Sequence, residues 1–247
     1  MSEFLYGRNP IYECLHAGRR GVTRLLVAEG SKEKGTLSEV VRLAQHKRIP
    51  IQHAEHRQLD KLAPSVNHQG VLAEVAAYPY VEIEAMLAAA REGGEAPLLL
   101  LLDCLQDPQN LGTLLRTAEV VGVHGVILPD RRSVSITPAV VNASSGACEH
   151  LRIAQIINLV QTMQSLKAEN VWIAGLEDAP EAQTLWSADL RGPTALVVGS
   201  EGSGMRRLVR ETCDFMVRLP MFGQINSLNA AVAGSIALYE ITRQRGK

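Results

Sequence analysis

The sequence has few of the features that mark specialised classes of protein. Only 4% of its 247 residues are aromatic, so side chains on which unpaired nucleic-acid bases could stack are scarce. It has four cysteines, which are Cys14, Cys104, Cys148 and Cys213. They lie far apart and form no CxxC pair, so we expect no zinc site, no thioredoxin-type redox motif and no other metal centre. Reduced thiols of this kind fit the cytoplasm best.

Long apolar runs are absent as well. The longest purely apolar stretch, Leu98 to Leu102, is far too short to span a bilayer. The first ten residues lack the order of a signal peptide, in which a basic region precedes an apolar one. These two absences predict a cytoplasmic protein with no membrane partner.

The chain has no large excess of charge of either sign, but its charges are unevenly spread. Lys and Arg number 25 and Asp and Glu number 26, a net charge of −1 that by itself argues mildly against a nucleic-acid partner. Residues 1–80 hold 11 basic and 8 acidic side chains, a net charge of +3, and five of the seven histidines. Residues 81–247 hold 14 basic and 18 acidic side chains, a net charge of −4. The first third of the chain is therefore the better candidate for binding a polyanion.

What the sequence does have is the alternation of strand and helix patterns that is typical of α/β proteins. In residues 1–77 the pattern predicts a small α/β domain with helices at 10–17 and 36–47 and strands at 22–28, 49–53 and 70–76. We expect Asn9 to cap the first helix, Pro10 to occupy its first position and Gly18 to follow its end. Residues 78–97 have the composition of an acidic linker with a short helix.

Residues 98–247 are predicted to form a second domain, with a mostly parallel sheet and helices on both faces. Five leucines in a row at 98–102 suit a strand that is buried on both sides. Further strands are predicted at 125–128, 151–156, 171–176, 195–199 and 215–219, and helices near 108–121, 138–145, 158–169, 204–212 and 227–243. In such sheets ligands bind beyond the carboxyl ends of the strands. Three strand-to-helix junctions, at 103–116, 199–205 and 220–229, are therefore candidate sites.

The first junction contains two polar side chains that lie off the buried stripe of the helix that follows it. Asp107 and Pro108 are typical of a helix start, and Asn110 and Arg116 then point away from the apolar positions. Each has an ordinary structural role available, a local backbone hydrogen bond for Asn110 and a solvated face for Arg116. Alternatively the pair binds a phosphate or a ribose, because a guanidinium suits phosphate and an amide both donates and accepts.

The second junction is a glycine-rich turn from Gly199 to Gly204 that includes Glu201. It is not a Walker A loop, a G-x-G-x-x-G fingerprint or a nucleophile elbow. Glycines allow positive φ and a close approach of a ligand to the backbone. The carboxylate of Glu201 would repel a bare phosphate, so the turn either binds a neutral or cationic ligand or is a tight turn only.

The third junction joins a strand end to a long helix rich in small residues. Ser227 is a natural N-cap, and Asn229 lies in the first turn. The apolar side chains of Leu219, Met221 and Leu228 could wall a pocket whose rim offers backbone groups to an adenine. The small residues from 230 to 234 suit close helix packing, either in the core or at a dimer interface.

Together the three junctions resemble, in order and spacing, the three motifs of the SpoU (TrmH-like) branch of the SPOUT class of RNA 2′-O-ribose methyltransferases. The resemblance covers about residues 98–245 and rests on Asn110 with Arg116, on Gly199 to Gly204 with Glu201, and on Leu219-Pro220-Met221 through Ser227-Leu228-Asn229. The segments Tyr6-Gly7-Arg8-Asn9-Pro10 and His68-Gln69-Gly70-Val71 are similar to the small ribosomal-protein-like RNA-binding domain of bacterial members that methylate a guanosine of 23S rRNA.

The resemblance implies a fold, a cofactor and partners. It implies that S-adenosylmethionine binds in a deep C-terminal trefoil knot, that the protein is a homodimer with active sites at the interface, and that the substrate is 23S rRNA or an assembling large ribosomal subunit. The implied cofactor-binding residues are Gly199, Leu219, Pro220, Met221 and Leu228. The implied reaction site consists of Asn110, Arg116, Glu201, Ser227 and Asn229. Because the total charge is near zero, we expect RNA binding to depend on shape, with a shallow salt dependence.

The implied reaction is attack of a ribose 2′-hydroxyl on the sulfonium methyl, with Arg116 assigned to removal of the hydroxyl proton. A guanidinium is a poor base, because it holds its proton far above neutral pH. Either the pKa of Arg116 is strongly perturbed, or Arg116 stays cationic and stabilises the developing alkoxide while a phosphate or water takes the proton. We favour the second. The alternatives to an rRNA enzyme are a tRNA ribose methyltransferase, an inactive RNA-binding ribosome-assembly factor and a generic nucleotide-binding protein.

Overall fold

The computed structural model describes residues 2–200, 202, 204–225 and 227–246. The elements follow one another in the order β1 (Glu3–Tyr6), α1 (Arg8–Ala17), β2 (Val22–Ala28), α2 (Thr36–His46), β3 (Ile51–Ala54), α3 (His56–Leu62), β4 (Val71–Val75), α4 (Ile83–Glu92), β5 (Leu98–Leu102), α5 (Pro108–Val120), β6 (Gly125–Pro129), α6 (Pro138–Ala143), β7 (Ile153–Ile156), α7 (Leu159–Ala168), β8 (Trp172–Leu176), β9 (Gln183–Thr184), β10 (Thr194–Val198), α8 (Arg207–Thr212), β11 (Phe215–Arg218) and α9 (Ala230–Gln244). Short 3-10 turns lie at Ala147–Glu149 and Leu185–Ser187. None of these helices is long and apolar enough to cross a membrane.

The chain packs as two compact units that are not simply successive. The first consists of Met1–Pro79 with Ile136–His150, and the second of Tyr80–Ser135 with Leu151–Lys247. Helix α6 and the turn after it thus group with the N-terminal residues, although the sequence suggested continuous domains of 1–77 and 98–247. A physical reason is the contact of α6 with β1, where Asn142 Nδ2 donates to the carbonyl oxygen of Tyr6 at 3.3 Å.

The first unit contains a mixed four-stranded sheet in the order β1-β4-β2-β3. Strand β4 is antiparallel to both β1 and β2, and β2 is parallel to β3. Leu5, Leu26 and Leu72 are fully buried in this unit. The sequence pattern located β2, β3 and β4 and helices α1 and α2, but it did not predict β1 or α3.

A buried polar cluster holds the Ile136–His150 segment within the first unit. The side chains of Arg20 and Glu149 are 0% and 1% exposed, and Arg20 Nε lies 3.1 Å from Glu149 Oε1. Tyr78 packs against the Arg20 guanidinium and donates its hydroxyl to the carbonyl oxygen of Cys148 at 2.8 Å. Burial raises the pKa of Glu149, although the charge of Arg20 opposes the shift. Each charge is buried beside the other because an isolated buried charge would be far more costly.

The second unit contains a seven-stranded sheet in the order β7-β6-β5-β10-β8-β11-β9, and all its pairings are parallel. All five leucines of β5 are buried, as their continuous apolar run predicted. Val198, at the end of β10, pairs with Leu102 of β5 and with Leu176 of β8. The carboxyl ends of three neighbouring strands therefore meet at one edge. The mostly parallel α/β fold predicted for this part of the chain is confirmed.

Helix α4 lies within the segment predicted to be an acidic linker, and it is part of the second unit. Met86, Leu87 and Ala90 are buried, and Met86 packs over Gly125, where a Cβ would lie 2.1 Å from the methionine sulfur. The apolar spacing of these three positions is the helical one, and it is the signal in the sequence for a packed helix. The glutamates of the segment suggested a linker, but their side chains are exposed to solvent and leave the apolar side chains of α4 free to pack.

Helix starts show where sequence reasoning about caps succeeds and fails. Asp107 caps α5 as predicted, accepting a hydrogen bond from Gln109 N at 3.1 Å. The cap predicted at Asn9 is wrong, because α1 begins at Arg8 after Gly7, whose φ is 86°. The cap predicted at Ser227 is also wrong, because Asn229 caps α9.

Candidate functional site

The site lies at the edge of the second unit's sheet where the strand ends meet. Asp103 follows β5, Glu177 follows β8 and Gly199 follows β10. Asp103 N donates to Val198 O at 2.9 Å and Glu177 N donates to Val217 O at 3.0 Å, which continues the strand ladder into the loops. The first residues of these loops are therefore held in place by the sheet.

These loops surround a cleft of about 510 Å³. Six of the predicted site residues line it, namely Gly199, Leu219, Met221, Ser227, Leu228 and Asn229. Within the described ranges, Asn110, Arg116 and Pro220 are not among its lining residues, and Glu201 lies outside the residues that the structure describes. The third and second junctions thus form the cleft itself, and the first junction approaches it through a hydrogen bond described below.

The glycine-rich turn folds back on itself so tightly that one position tolerates no side chain. A Cβ on Gly199 would lie 2.5 Å from the carbonyl carbon of Gly204 and 2.6 Å from Met205 N. Ser200 and Gly204 exchange two backbone hydrogen bonds of 3.1 Å, and Gly204 has a φ of 65°. The turn therefore presents backbone to the cleft at a place where any larger residue would push the loop apart.

Two carboxylates that the sequence reasoning did not assign hold the far end of this turn. Asp103 is completely buried, and its Oδ2 accepts from Arg206 N at 2.8 Å while its Oδ1 accepts from Arg206 Nε at 2.7 Å. These bonds raise the pKa of the Arg206 guanidinium. Glu177 Oε2 accepts from Met205 N at 3.0 Å, and the same carboxylate pairs with Arg210.

The signals in the sequence for these two carboxylates are unequal. Asp103 directly ends the apolar run of β5, and an acidic residue at a strand end is a recognisable sign of a site in a parallel sheet. Glu177 lies outside all three junctions and has no motif around it. Only the register of β8 beside β10 places it in the wall of the cleft.

Asn229 connects the third junction to the first. Its Oδ1 accepts from Ala231 N at 3.0 Å and Val232 N at 3.1 Å, which is an N-cap, and its Nδ2 donates to Asn110 Oδ1 at 2.8 Å. Both functions of an amide, donor and acceptor, are thus in use. Arg116 lies on the exposed side of α5.

The small residues of α9 are used for packing within the unit. A Cβ on Gly234 would lie 2.9 Å from Leu114 Cδ1 of α5, and Ser235 Oγ lies 2.8 Å from Thr117 Oγ1. Helices α5 and α9 therefore approach closely. Core packing, one of the two roles that the sequence left open for these residues, is seen here, and the role at a dimer interface stays a prediction.

The cleft offers apolar, backbone and charged surface to a ligand. Leu219, Met221 and Leu228 supply apolar surface, and the turn at Gly199 supplies backbone. The charged side chains of the lining are Glu177, Asp178 and Arg218, and Glu177 pairs with Arg210 while Asp178 pairs with Arg218. S-adenosylmethionine, which carries an adenine, a sulfonium, an amino group and a carboxylate, fits this combination of apolar, backbone and charged surface.

Comparison with known proteins agrees with this chemistry. The SpoU rRNA Methylase family matches residues 97–239, and the family described as RNA 2′-O ribose methyltransferase substrate binding matches residues 4–81. The Bacillus subtilis protein YacO, named for the TrmH family of tRNA/rRNA methyltransferases, is 42% identical over 243 residues, which are 98% of this chain and 96% of that protein.

Solved structures share the fold. The SpoU methyltransferase AviRb from Streptomyces viridochromogenes, solved in complex with the cofactor AdoMet, superposes with a TM-score of 0.81 over 99% of this chain and 90% of its own, at 24% identity. The TrmH/SpoU tRNA modifying enzyme of A. aeolicus superposes with a TM-score of 0.56 over 66% of this chain and 84% of its own, at 28% identity. The chain therefore belongs to the SpoU/TrmH family of S-adenosylmethionine-dependent RNA methyltransferases.

Proposed function

We propose that the protein methylates the 2′-hydroxyl of a guanosine ribose in 23S rRNA, in the cytoplasm and as a homodimer. The observation that carries the rRNA assignment is the N-terminal substrate-binding match at residues 4–81. The superposition on the A. aeolicus tRNA modifying enzyme covers 66% of this chain, and the substrate-binding match at residues 4–81 spans a share similar to the remainder. A substrate larger than tRNA accounts for the additional unit.

In the proposed mechanism the second unit holds the cofactor and orients the ribose. Gly199, Leu219, Pro220, Met221 and Leu228 would bind S-adenosylmethionine, which supplies the methyl group when bound. The amide pair of Asn229 and Asn110, with Ser227 beside it in the sequence, would position the ribose, and Glu201 would complete the reaction site.

Arg116 is proposed to act as a fixed positive charge. Because a guanidinium is protonated at neutral pH, Arg116 would stabilise the negative charge that develops on the 2′-oxygen, while a phosphate oxygen or a water accepts the proton. This role requires a guanidinium directed at the ribose and does not require that it lose a proton.

Exposed apolar side chains support the homodimer. Phe222 is 94% exposed, Ile225 75% and Tyr239 55%, and Val120 and Val232 are exposed as well. They belong to α5, α9 and the loop before α9. Helices α5 and α9 are neighbours, and exposed apolar side chains on neighbouring elements are typical of a surface that another copy covers. The trefoil knot that the family resemblance implies is part of the same proposal.

The test is a map of 2′-O-methyl marks in ribosomal and transfer RNA from cells with and without the gene. We expect one guanosine mark in 23S rRNA to disappear and to return with the wild-type gene. Loss of a mark from tRNA would support the second candidate, a tRNA ribose methyltransferase, which the tRNA/rRNA name of YacO keeps open. An unchanged map despite abundant protein would contradict both, and failure to bind S-adenosylmethionine in calorimetry would support an inactive assembly factor.

A further inference from the structure

The first unit contains its own polar pocket, of about 350 Å³. Its lining includes Arg8, His56, Asp60, Asn67, His68 and Gln69. They come from the start of α1, from α3 and from the loop before β4. The two N-terminal segments that carried the family resemblance, at 6–10 and 68–71, therefore contribute to one cavity.

Hydrogen bonds hold these two segments together. Gln69 Oε1 accepts from Arg8 N at 3.1 Å, and Gln69 O accepts from Arg8 Nε at 3.2 Å. Asn67 Oδ1 accepts from Gln69 N at 3.2 Å. Gly70, with a φ of 79°, leaves room for Ser31, since a Cβ there would lie 2.7 Å from its Oγ. The backbone of the pocket is thus fixed before any ligand arrives.

Three side chains in the pocket, those of Arg8, Asn67 and Gln69, have hydrogen-bond donors left for a ligand. Arg8 uses Nε and its backbone N, and Gln69 and Asn67 use their side-chain oxygens as acceptors. Within the part of the chain that the structure describes, the terminal nitrogens of Arg8 and the amide nitrogens of Asn67 and Gln69 make no hydrogen bond. They form a donor-rich side that suits phosphate or carbonyl oxygens.

Hydrogen-bond acceptors in the pocket come from Asp60, whose carboxylate is held between two histidines. His68 Nε2 lies 3.2 Å from Asp60 Oδ1 and His56 Nδ1 lies 3.3 Å from Asp60 Oδ2. These hydrogen bonds lower the pKa of Asp60, so it stays ionised at neutral pH. Each carboxylate oxygen has two lone pairs, and one on each oxygen remains for a ligand.

Two histidines and a carboxylate can also bind a metal ion, but the second contact of His68 opposes it. Gly70 N donates to His68 Nδ1 at 3.1 Å, so this nitrogen is an acceptor and carries no proton. The proton of the neutral ring is then on Nε2, directed at Asp60. A metal on Nε2 would require the proton to move to Nδ1, where it would face the Gly70 N–H. The buried histidine is therefore arranged to orient the carboxylate.

We propose that this pocket binds one unpaired guanine nucleotide of the RNA substrate. Guanine presents N1–H and N2–H side by side, which matches the two oxygens of Asp60, and the donors of Arg8, Asn67 and Gln69 match its O6 and a phosphate. Adenine and the pyrimidines lack two adjacent donors of this kind on one edge. The inference rests on the proposed function only in taking RNA as the substrate.

The test uses the full-length protein and fluorescence anisotropy of three labelled ten-nucleotide oligouridylates, each with one central guanosine, inosine or adenosine. We expect guanosine to bind about tenfold more tightly than adenosine, the size of one bidentate base contact, with inosine between them because it lacks the N2 amino group. Asp60→Asn should remove the preference. Glu39→Gln, an exposed acid on α2 and not part of the pocket, is the matched control and should keep it.

A second variant tests the donor side of the pocket. Arg8→Gln, which also removes the hydrogen bond to Gln69 O, should weaken the binding of all three oligomers and reduce the slope of log K against log salt by about 0.7, the value for one phosphate contact on a single strand. Arg42→Gln, an exposed arginine on α2, is the control for loss of the charge. Equal affinity of the wild type for the three oligomers, or a preference that survives in Asp60→Asn, would overturn the proposal. So would stoichiometric Zn²⁺ uptake that Asp60→Asn abolishes.

Methyl transfer to rRNA, measured with the same wild-type preparation, separates this proposal from the proposed function. A protein that transfers methyl groups but does not discriminate guanosine overturns only the pocket. A protein that discriminates guanosine but methylates no rRNA overturns only the function.

Discussion

The two units build their clefts from different parts of the polypeptide. In the second unit the cleft depends on backbone, since Gly199 allows the turn to close and buried carboxylates hold its far end. In the first unit the pocket depends on side chains that come from loops and a short helix, with a carboxylate between two histidines. A cofactor common to a whole family can be bound by shape and main chain, whereas selection of one base requires side-chain hydrogen bonds.

Both units contain thiols whose reactivity is suppressed by burial. Burial raises the pKa of Cys14 and of Cys148 from the ordinary 9.0 to about 12, and Cys213 of the second unit is similar. A rise of this size in the pKa lowers the thiolate fraction at pH 8 about a thousandfold. The rate of alkylation falls with it, because only the thiolate reacts. Alkylation of the native protein with iodoacetamide at pH 8 should therefore label Cys104 first, as peptide mass spectrometry would show. Early labelling of Cys14 or Cys148 would mean that the first unit opens readily.

The largest loss of activity is expected at Arg116. Arg116→Ala should lower the single-turnover rate of methyl transfer about 100- to 1,000-fold while leaving the dissociation constant for S-adenosylmethionine nearly unchanged, because a preorganised charge acts on the transition state. Arg152→Ala, an exposed arginine of the same unit, is the control. A near-normal rate in Arg116→Lys would show that guanidinium geometry is unnecessary and would contradict the proposed role.

Gly199→Ala tests whether the second unit's cleft depends on backbone geometry. The new Cβ would meet backbone atoms of Gly204 and Met205, and a displacement of about 1 Å in a site can cost about 100-fold. We expect S-adenosylmethionine binding, measured by calorimetry, to weaken by about that factor. Gly192→Ala, where a Cβ has open space, should bind like the wild type. Wild-type affinity in Gly199→Ala would remove the contrast between the units.

Asp103→Asn should have a smaller effect, seen mainly in stability. The new amide would place an NH₂ group against an N–H donor of Arg206, and loss of charged hydrogen bonds costs about 2 kcal/mol. For a protein of this size we expect the melting temperature to fall by roughly 4–8 °C. Asp189→Asn, which breaks an exposed pair with Arg191, should leave the melting temperature unchanged within error. Equal effects of the two variants would mean that the buried clamp adds no stability.

Much of the second unit could be predicted from local patterns. The five leucines predicted both ends of the buried strand β5, and Asp107 with Pro108 predicted the start of α5. The short helix predicted within residues 78–97 is α4, but the charges around it concealed that it packs into the second unit. The cap of α9 was placed two residues early, because Ser227 and Asn229 are both good capping residues. Asn229 also donates to Asn110, and this second contact, which favours it over Ser227, is not local.

The sequence by itself determined the family, the order of most elements and six of the residues that line the cleft of the second unit, because motifs and periodicities are written along the chain. Only the tertiary structure decided which distant residues meet. Asn110 and Asn229 are 119 residues apart, and Arg8 and Gln69 are 61 apart. Glu177 reaches the cleft because β8 lies beside β10 in register. Strand order and register arise from packing of the whole sheet, so no stretch of sequence carries them alone.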